Sequence, residues 1–249
     1  MTEIQKYKCF IIHLKRAKKR KPYVDDLISM IDMKTEIIDA VDGKLLTKHN
    51  ILKYYSKTPL YRPIYPFKVN NGEIGCFLSF RKAWQNIVDQ NLSSGLIFED
   101  DVSLDLDIFN ESLASALEWV DTYGYIQFQV RKIPKKSKLL KSNQNIRLFQ
   151  PSPILLRCSA QLVSYSAAKK LLKITEKFDR PIDTFLQTNW NTGLKISCIE
   201  PSGVIDNTFD SGGSNLSLQI PLILRMNREY NRIKYRHNVR KFAFKYNKI

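Results

Sequence analysis

The spacing of apolar residues changes several times along the chain, and each change predicts an element. Residues 7–14, YKCFIIHL, are an apolar run of strand length, and the stretch from Pro22 to about Met30 has a helical pattern with proline in its first turn. TEIIDAVDG (35–43) reads as a second short strand closed by a Val-Asp-Gly turn. From Tyr54 to Asn71, Pro59, Pro63 and Pro66 fall among tyrosines, so an irregular loop with scope for movement is expected. Asn70 and Glu73 then have the spacing of a capping box, in which the asparagine oxygen and the glutamate satisfy free N–H groups at a helix start. Ile74, Phe77, Leu78, Trp84, Ile87 and Val88 follow at helical intervals. SGLIF (94–98) is the next strand, and it runs straight into Glu99, Asp100 and Asp101. YIQFQV (125–130), SAQLVSYS (159–166) leading into AAKKLLKITEKF, and LKISCIE (194–200) continue the alternation. Strands alternating with helices predict an α/β domain whose sheet is covered on both faces.

Near the C-terminus the pattern becomes basic. Arg225, Arg228, Arg232, Arg236 and Arg240 recur every three or four residues, while Ile223, Met226, Tyr230 and Ile233 run along another face, with Phe242, Phe244 and Tyr246 beyond. This is a basic amphipathic helix. Residues 1–217 are therefore expected to form the α/β domain and 218–249 a tail. The tail either packs on the domain with a solvated face or lies on a membrane surface, apolar side among the headgroups and arginines on anionic lipid.

Charge sharpens that choice. With 40 Lys and Arg against 24 Asp and Glu, the formal net charge is +16, which calls for an anionic partner: nucleic acid, an acidic membrane surface or a phosphorylated substrate. The charge is clustered in 15–21 (KRAKKRK), in 131–147 and in 225–248. These patches are far apart and no nucleic-acid-binding motif accompanies them, which counts against a nucleic-acid-binding protein. No apolar stretch approaches the roughly 18–20 residues of a membrane span. The first apolar segment is too short for a signal peptide and lacks a small-residue cleavage site, so a cytosolic location is expected. Cys9, Cys76, Cys158 and Cys198 are widely spaced, without a CxxC pair or nearby histidines, and read as small buried hydrophobes.

The three consecutive carboxylates pose an electrostatic problem, because like charges this close resist ionising together. In α/β sheets ligands bind at the carboxyl ends of strands, which is where Glu99, Asp100 and Asp101 stand. Hard oxygen ligands gathered there suit Mg²⁺ or Mn²⁺, which use one or two carboxylates plus substrate phosphates. The plain alternative is an exposed acidic turn, or the acidic start of the next helix. From the triplet alone both stay open.

The surrounding words decide between them. GEIGCFLSFRKAW (72–84) followed by LIFEDDV (96–102) resembles the signature of glycosyltransferase family 25, which includes lipooligosaccharide and collagen galactosyltransferases. CFIIHLKRAKKR (9–20), AVDG (40–43), AQLVSYSAAKKLL (160–172), PID (181–183) and PSGVIDNTFDSGGSN (201–215) resemble further family segments in the same order, over roughly residues 8–215. Two positions depart from the pattern: His13 where asparagine is usual, and Phe80 where histidine follows the serine, Ser79.

The resemblance implies a GT-A-like single nucleotide-sugar-binding domain, with a Rossmann-like mixed sheet flanked by helices. It implies an inverting, divalent-metal-assisted hexosyltransferase using a UDP-sugar, UDP-galactose above all, on a lipid-linked lipooligosaccharide or lipopolysaccharide acceptor. Such an enzyme would be peripheral on the inner face of a bacterial inner membrane. Asp101 is then the expected ligand of Mn²⁺ or Mg²⁺, and Glu99 and Asp100 the partners of the donor's ribose or sugar. His13, Arg16, Asp42, Glu73 and Ser79 are carried over as donor-site residues, and Arg20 as a second phosphate contact. Asp183 is the expected base for the acceptor hydroxyl, with Asp206 and Asp210 in reserve. Plain roles compete: Asp183 as a first-turn aspartate beside Pro181, Glu73 as a helix cap, Asp42 as a turn residue, His13 as a structural histidine. A transferase-like fold without activity, binding glycan or membrane, is the remaining alternative.

Overall fold

The computed structural model describes residues 7–208 and 222–246, the last segment with side chains from 225 onward. It opens with β1 (Tyr7–His13), buried on both faces from Lys8 onward as its unbroken apolar run requires, and α1 (Lys21–Met30), which carries Pro22 at its start. β2 (Thr35–Asp39), α2 (Lys48–Tyr54) and α3 (Asn71–Asp89) follow. Next come β3 (Ser94–Glu99), β4 (Val102–Leu104), α4 (Leu106–Tyr123), β5 (Tyr125–Phe128), β6 (Lys138–Asn143) and β7 (Ile146–Gln150). β8 (Ala160–Ser164), α5 (Tyr165–Ile174), α6 (Ile182–Leu186), α7 (Asn189–Thr192), β9 (Ser197–Glu200) and β10 (Val204–Asp206) lead to α8 (Leu222–Tyr246).

Among the described residues, eight strands form one mixed sheet in the order β2-β1-β3-β8-β5-β9-β7-β6, and β10 pairs with β4 beside it. β2, β1 and β3 run parallel, while β8 is antiparallel to both β3 and β5. Neighbouring strand residues enter opposite cores, as the period of two demands. Phe10, Ile97 and Val163 meet Phe77, Trp84 and Leu171 of α3 and α5, and Ile11, Phe98 and Leu162 meet Leu27, Phe109 and Trp119 of α1 and α4. The sheet is thus covered on both faces, as predicted.

Several elements carried no clear signal, β6 and α2 among them. The basic stretch 131–147 contains β6 and the turn to β7; five of the six β6 residues are exposed, so no apolar alternation announced the strand. α2 is a capped helix of about two turns, with Thr47 accepting a hydrogen bond from Asn50 N at 3.2 Å.

The proline-rich loop is irregular but not loose. Arg180 is fully buried and uses all five of its N–H groups. It donates to Asp179 at 2.7 and 3.0 Å, to the carbonyls of Tyr61 (2.8 Å) and Pro63 (3.1 Å), and to the Tyr235 hydroxyl (3.2 Å). Asp179 in turn accepts from Leu60 N at 2.8 Å. One ion pair therefore ties the loop to α8.

α8 packs differently from its apolar pattern. Tyr235, Val239 and Ala243 are its buried residues, and Phe242 stacks on Trp190 with ring centres 5.6 Å apart. Met226, Tyr230 and Ile233 stay 64–65% exposed. At about 100° per residue they lie roughly half a turn away from the packed stripe. The Ile223 side chain lies outside the described residues.

Candidate active site

The acidic triplet sits where parallel pairing brings β1 and β3 to a common end, Ile12 standing opposite Glu99. The chain turns directly after Glu99, and Asp100 Oδ2 lies 2.7 Å from His13 Nδ1. Arg20, from the 3-10 turn Lys18–Arg20, donates through Nη1 to Asp100 Oδ1 at 2.8 Å and reaches Asp101 Oδ2 at 3.1 Å. On the other side, the β10–β4 pairing places Asp206 opposite Val102 and delivers Asn207 N to the Asp101 carbonyl (2.8 Å) and Thr208 Oγ1 to Asp101 Oδ2 (3.3 Å). Among the described residues nothing bonds Asp101 Oδ1 or the Glu99 carboxyl. The triplet is not the start of the next helix: β4 intervenes, and Asp105 caps α4 instead.

The wall facing the triplet is built from two of the sequence words. A Cβ on Gly43 would sit 2.2 Å from the Asn71 carbonyl oxygen, and one on Gly75 2.5 Å from that of Val41, so the VDG turn and the GEIGC helix start touch backbone to backbone. Ser79 fastens them, accepting from Val41 N (2.8 Å) and donating to Gly75 O (2.7 Å). Asp42 caps the turn on Lys44 N (2.9 Å) and holds Arg16 Nε at 2.6 Å. The Arg16 hydrogen bond, then the Lys44 N–H, lower the Asp42 pKa. Both bonds of the Asn70–Glu73 capping box form, at 2.8 and 2.9 Å.

Between wall and triplet lies a cavity of about 1100 Å³, with Arg16, Lys18, Lys19 and Lys44 on its basic rim and Glu99, Asp100 and Asp101 at its acidic end. Ser79, Cys76 and Phe80 also line it. Phe80 is buried against Trp84, so at this departure from the family pattern a ring fills space where an imidazole is usual. Cys76 likewise faces the cavity rather than the deep core.

Asp183 approaches from α6. The Thr184 and Arg157 N–H groups donate to it, the former at 2.7 Å. Burial nevertheless keeps its pKa raised against those bonds and the Arg131 and Arg157 charges. Its charge raises Glu99, Glu73, Cys76 and Tyr65, so it lies near enough to act on these groups, although it is not itself among the residues lining the cavity. Burial first, then the charges of Asp101, Asp100 and Asp183, push the Glu99 pKa up to about 8. Burial also raises Asp101, with Arg20 opposing.

Tertiary structure thus brings His13, Glu99, Asp100 and Asp101 together, with Asp183 near enough for its charge to act on Glu99, and Arg16, Asp42, Glu73 and Ser79 in or behind the opposite wall. Several have protein partners where donor contacts were expected: both Asp100 oxygens, Asp42 and the Ser79 hydroxyl are engaged within the chain. Asp206 ion-pairs with Arg157 at 3.1 Å, and Asp210 lies outside the described residues. Arg157 and Thr208 escaped the sequence reading. Arg157 holds φ at +89°, unusual for a side-chain-bearing residue, while its guanidinium reaches Asp206 and Thr208. No motif marks it.

Glycosyltransferase family 25 (LPS biosynthesis protein) matches residues 6–186, well over half of the sequence. The chain belongs to glycosyltransferase family 25. Procollagen galactosyltransferase 2 of Mus musculus is 27% identical over 190 residues, covering 73% of this chain and 30% of the relative. The inactive glycosyltransferase 25 family member 3 of Mus musculus is 33% identical over 96 residues, covering 37% of this chain and 16% of the relative. The match to the first relative thus spans less than a third of that protein's length. The Drosophila β1,4-galactosyltransferase 7 mutant, solved with manganese, UDP-Gal and xylobiose, overlaps at 9% identity with a TM-score of 0.43, over 89% of this chain and 79% of that one. The family assignment rests on the sequence match, not on this loose overlap. Both named sequence relatives are animal proteins, so a place on a bacterial inner membrane finds no support in them. Among the described residues no helix is long and apolar enough to cross a membrane.

Proposed function

We propose that this family-25 member is an inverting hexosyltransferase that moves galactose from UDP-galactose to a hydroxyl of a lipid-linked glycan, with Mn²⁺ or Mg²⁺ bound at Asp101. One observation carries the reading: an acidic end with an open Asp101 oxygen closes a cavity whose rim is basic, and the charge of a further, half-buried carboxylate, Asp183, acts on Glu99 at that end. Its volume of about 1100 Å³ suits a nucleotide sugar, small-molecule sites running to roughly 1,000 Å³.

The donor set fits a hard divalent cation. Among the described residues no three His, Cys, Asp or Glu side chains form a cage, so a Mg²⁺ or Mn²⁺ ion on Asp101 would need substrate phosphate oxygens to complete its shell. When bound, the ion would neutralise the departing diphosphate. Arg16, Lys18, Lys19 and Lys44 orient that diphosphate from the rim. Glu99, whose pKa burial and the neighbouring carboxylates raise, faces the donor from the acidic end of the cavity. Asp183 takes the proton of the acceptor hydroxyl as the bond to diphosphate breaks; its raised pKa makes it a stronger base than an ordinary carboxylate.

The test is a panel of nucleotide sugars assayed for Mn²⁺-dependent hydrolysis and transfer. UDP-galactose is expected to lead, and Asp101→Asn to lose roughly 10²–10³-fold, the usual cost of removing a charge stabiliser. Near-normal, still metal-dependent transfer by that variant removes Asp101 from its role. A panel in which no sugar nucleotide binds or turns over favours the inactive reading, which the inactive relative and the His13 and Phe80 departures keep in play.

A membrane partner is supported separately. The exposed Met226, Tyr230 and Ile233 stripe is flanked by Arg236 and Arg240 on one side and Lys234 and Lys241 on the other, as interfacial helices are. Met226→Ser with Ile233→Ser is expected to weaken binding to anionic liposomes; unchanged binding rules the anchor out.

A further inference from the structure

Two adjacent buried carboxylates need a cation whether or not a metal is present, because uncompensated charge there is costly. Here Arg20 supplies it: a single nitrogen, Nη1, touches one oxygen of Asp100 and one of Asp101, at 2.8 and 3.1 Å. A divalent ion held by Asp101 would compete with that nitrogen for the negative charge of the pair. Yet Arg20 is poorly anchored. It ends a three-residue 3-10 turn with no buried residue, its side chain is 26% exposed, and Nη1 is its only nitrogen with a partner among the described residues. The same turn, with Lys18 and Lys19, lines the cavity. His13 holds the other Asp100 oxygen at 2.7 Å, so Asp100 keeps its place if Arg20 leaves.

We propose that Arg20 is an exchangeable counter-ion: it occupies the metal position on Asp100 and Asp101 in the empty site, and swings to the diphosphate when a divalent ion and nucleotide enter. The guanidinium fork matches phosphate oxygens, so the displaced side chain finds a partner of equal quality. This inference rests on the metal-assisted reading above. It makes two demands of the molecule: Arg20 must compete with metal in the absence of nucleotide, and must cooperate with it in the presence of nucleoside diphosphate.

The experiment is Mn²⁺ titration of the whole chain, with free ion followed by electron paramagnetic resonance, with and without UDP. Without UDP, Arg20→Gln is expected to bind Mn²⁺ about tenfold more tightly than the unmodified chain, the gain from removing an occupant that holds the site about nine-tenths of the time. Arg20→Lys, which keeps a cation, stays close to the unmodified chain. With UDP the gap closes or reverses, because Arg20 then stabilises the ternary complex. Arg20→Met keeps the stem's packing and repeats the measurement if Arg20→Gln unfolds. If neither charge-removing variant binds Mn²⁺ more tightly without UDP, while Asp101→Asn weakens it, the exchange is wrong and the metal site stands. If Asp101→Asn binds Mn²⁺ as the unmodified chain does, the metal reading falls and the exchange with it.

Discussion

Two arginine–aspartate pairs, one in the packed interior and one at the cavity, differ in every respect that separates structure from chemistry. Arg180 and Asp179 have no spare valence: all five guanidinium N–H groups and both carboxylate oxygens are bonded, and Arg180 has no exposed surface. Arg20 meets its aspartates through one nitrogen, at the rim of a cavity, beside an Asp101 oxygen and a Glu99 carboxyl with no described partner. The first arrangement fixes a loop and a helix. The second leaves bonding capacity for something else, and a stabilising role alone gives no reason to leave it.

Three measurements press on this contrast. Asp183→Asn is expected to lower turnover by roughly 10²–10⁴-fold, the usual effect of removing a general base. Its thermal midpoint should hold or rise. Asp183's pKa is raised by burial, so the folded state binds a proton more readily than the unfolded one. Stability therefore falls as pH climbs from the ordinary carboxylate range through that raised value, and asparagine removes the loss. A large drop in midpoint with little change in turnover would make Asp183 a structural cap.

Arg180→Met should do the reverse to stability, costing about 3–5 kcal/mol in urea unfolding because Asp179 is left buried and unpaired. Arg20→Gln in the same assay should cost well under half as much, because Arg20 is itself partly exposed and His13 and Thr208 still bond Asp100 and Asp101. Equal losses would erase the distinction between the pairs.

The smallest effect is in acid. Burial alone would raise the Asp179 pKa, but Arg180 and the Leu60 N–H hold it below the usual value. Its contribution is complete above the unfolded-state value near 3.9 and is lost as pH falls through the lower folded one. Unfolding midpoints measured from pH 5 down to 2 should fall less steeply in the already destabilised Arg180→Met than in the unmodified chain. Parallel slopes would mean that Asp179 draws its stabilisation elsewhere.

Much of the site was legible beforehand because its residues stand at element ends with fixed sequence spacing. YKCFIIH and SGLIF declare buried strands, and a strand's carboxyl end is where EDD had to lie. The capping box at Asn70 and Glu73 formed as spaced, since both partners are three residues apart and need no distant help. The glycines of AVDG and GEIGC were visible as words, but not as surfaces pressed together. Arg157 and Thr208 were invisible: their importance comes from a loop conformation and a strand pairing that no local pattern encodes. α8 shows the opposite failure. Its clearest apolar stripe, Met226, Tyr230 and Ile233, points away from the domain, and the weaker stripe of Tyr235, Val239 and Ala243 makes the contact.

The sequence by itself determined the elements, the two-sided sheet, the family and the place of the acidic triplet, because each depends on residue type at short range. Tertiary structure alone decided which cation meets the triplet, that the charge of Asp183 acts on Glu99, and which face of α8 is left to water. Those outcomes depend on charges and rings more than 80 positions apart in the case of Arg20 and Asp101, and only the folded sheet brings such groups within hydrogen-bonding distance.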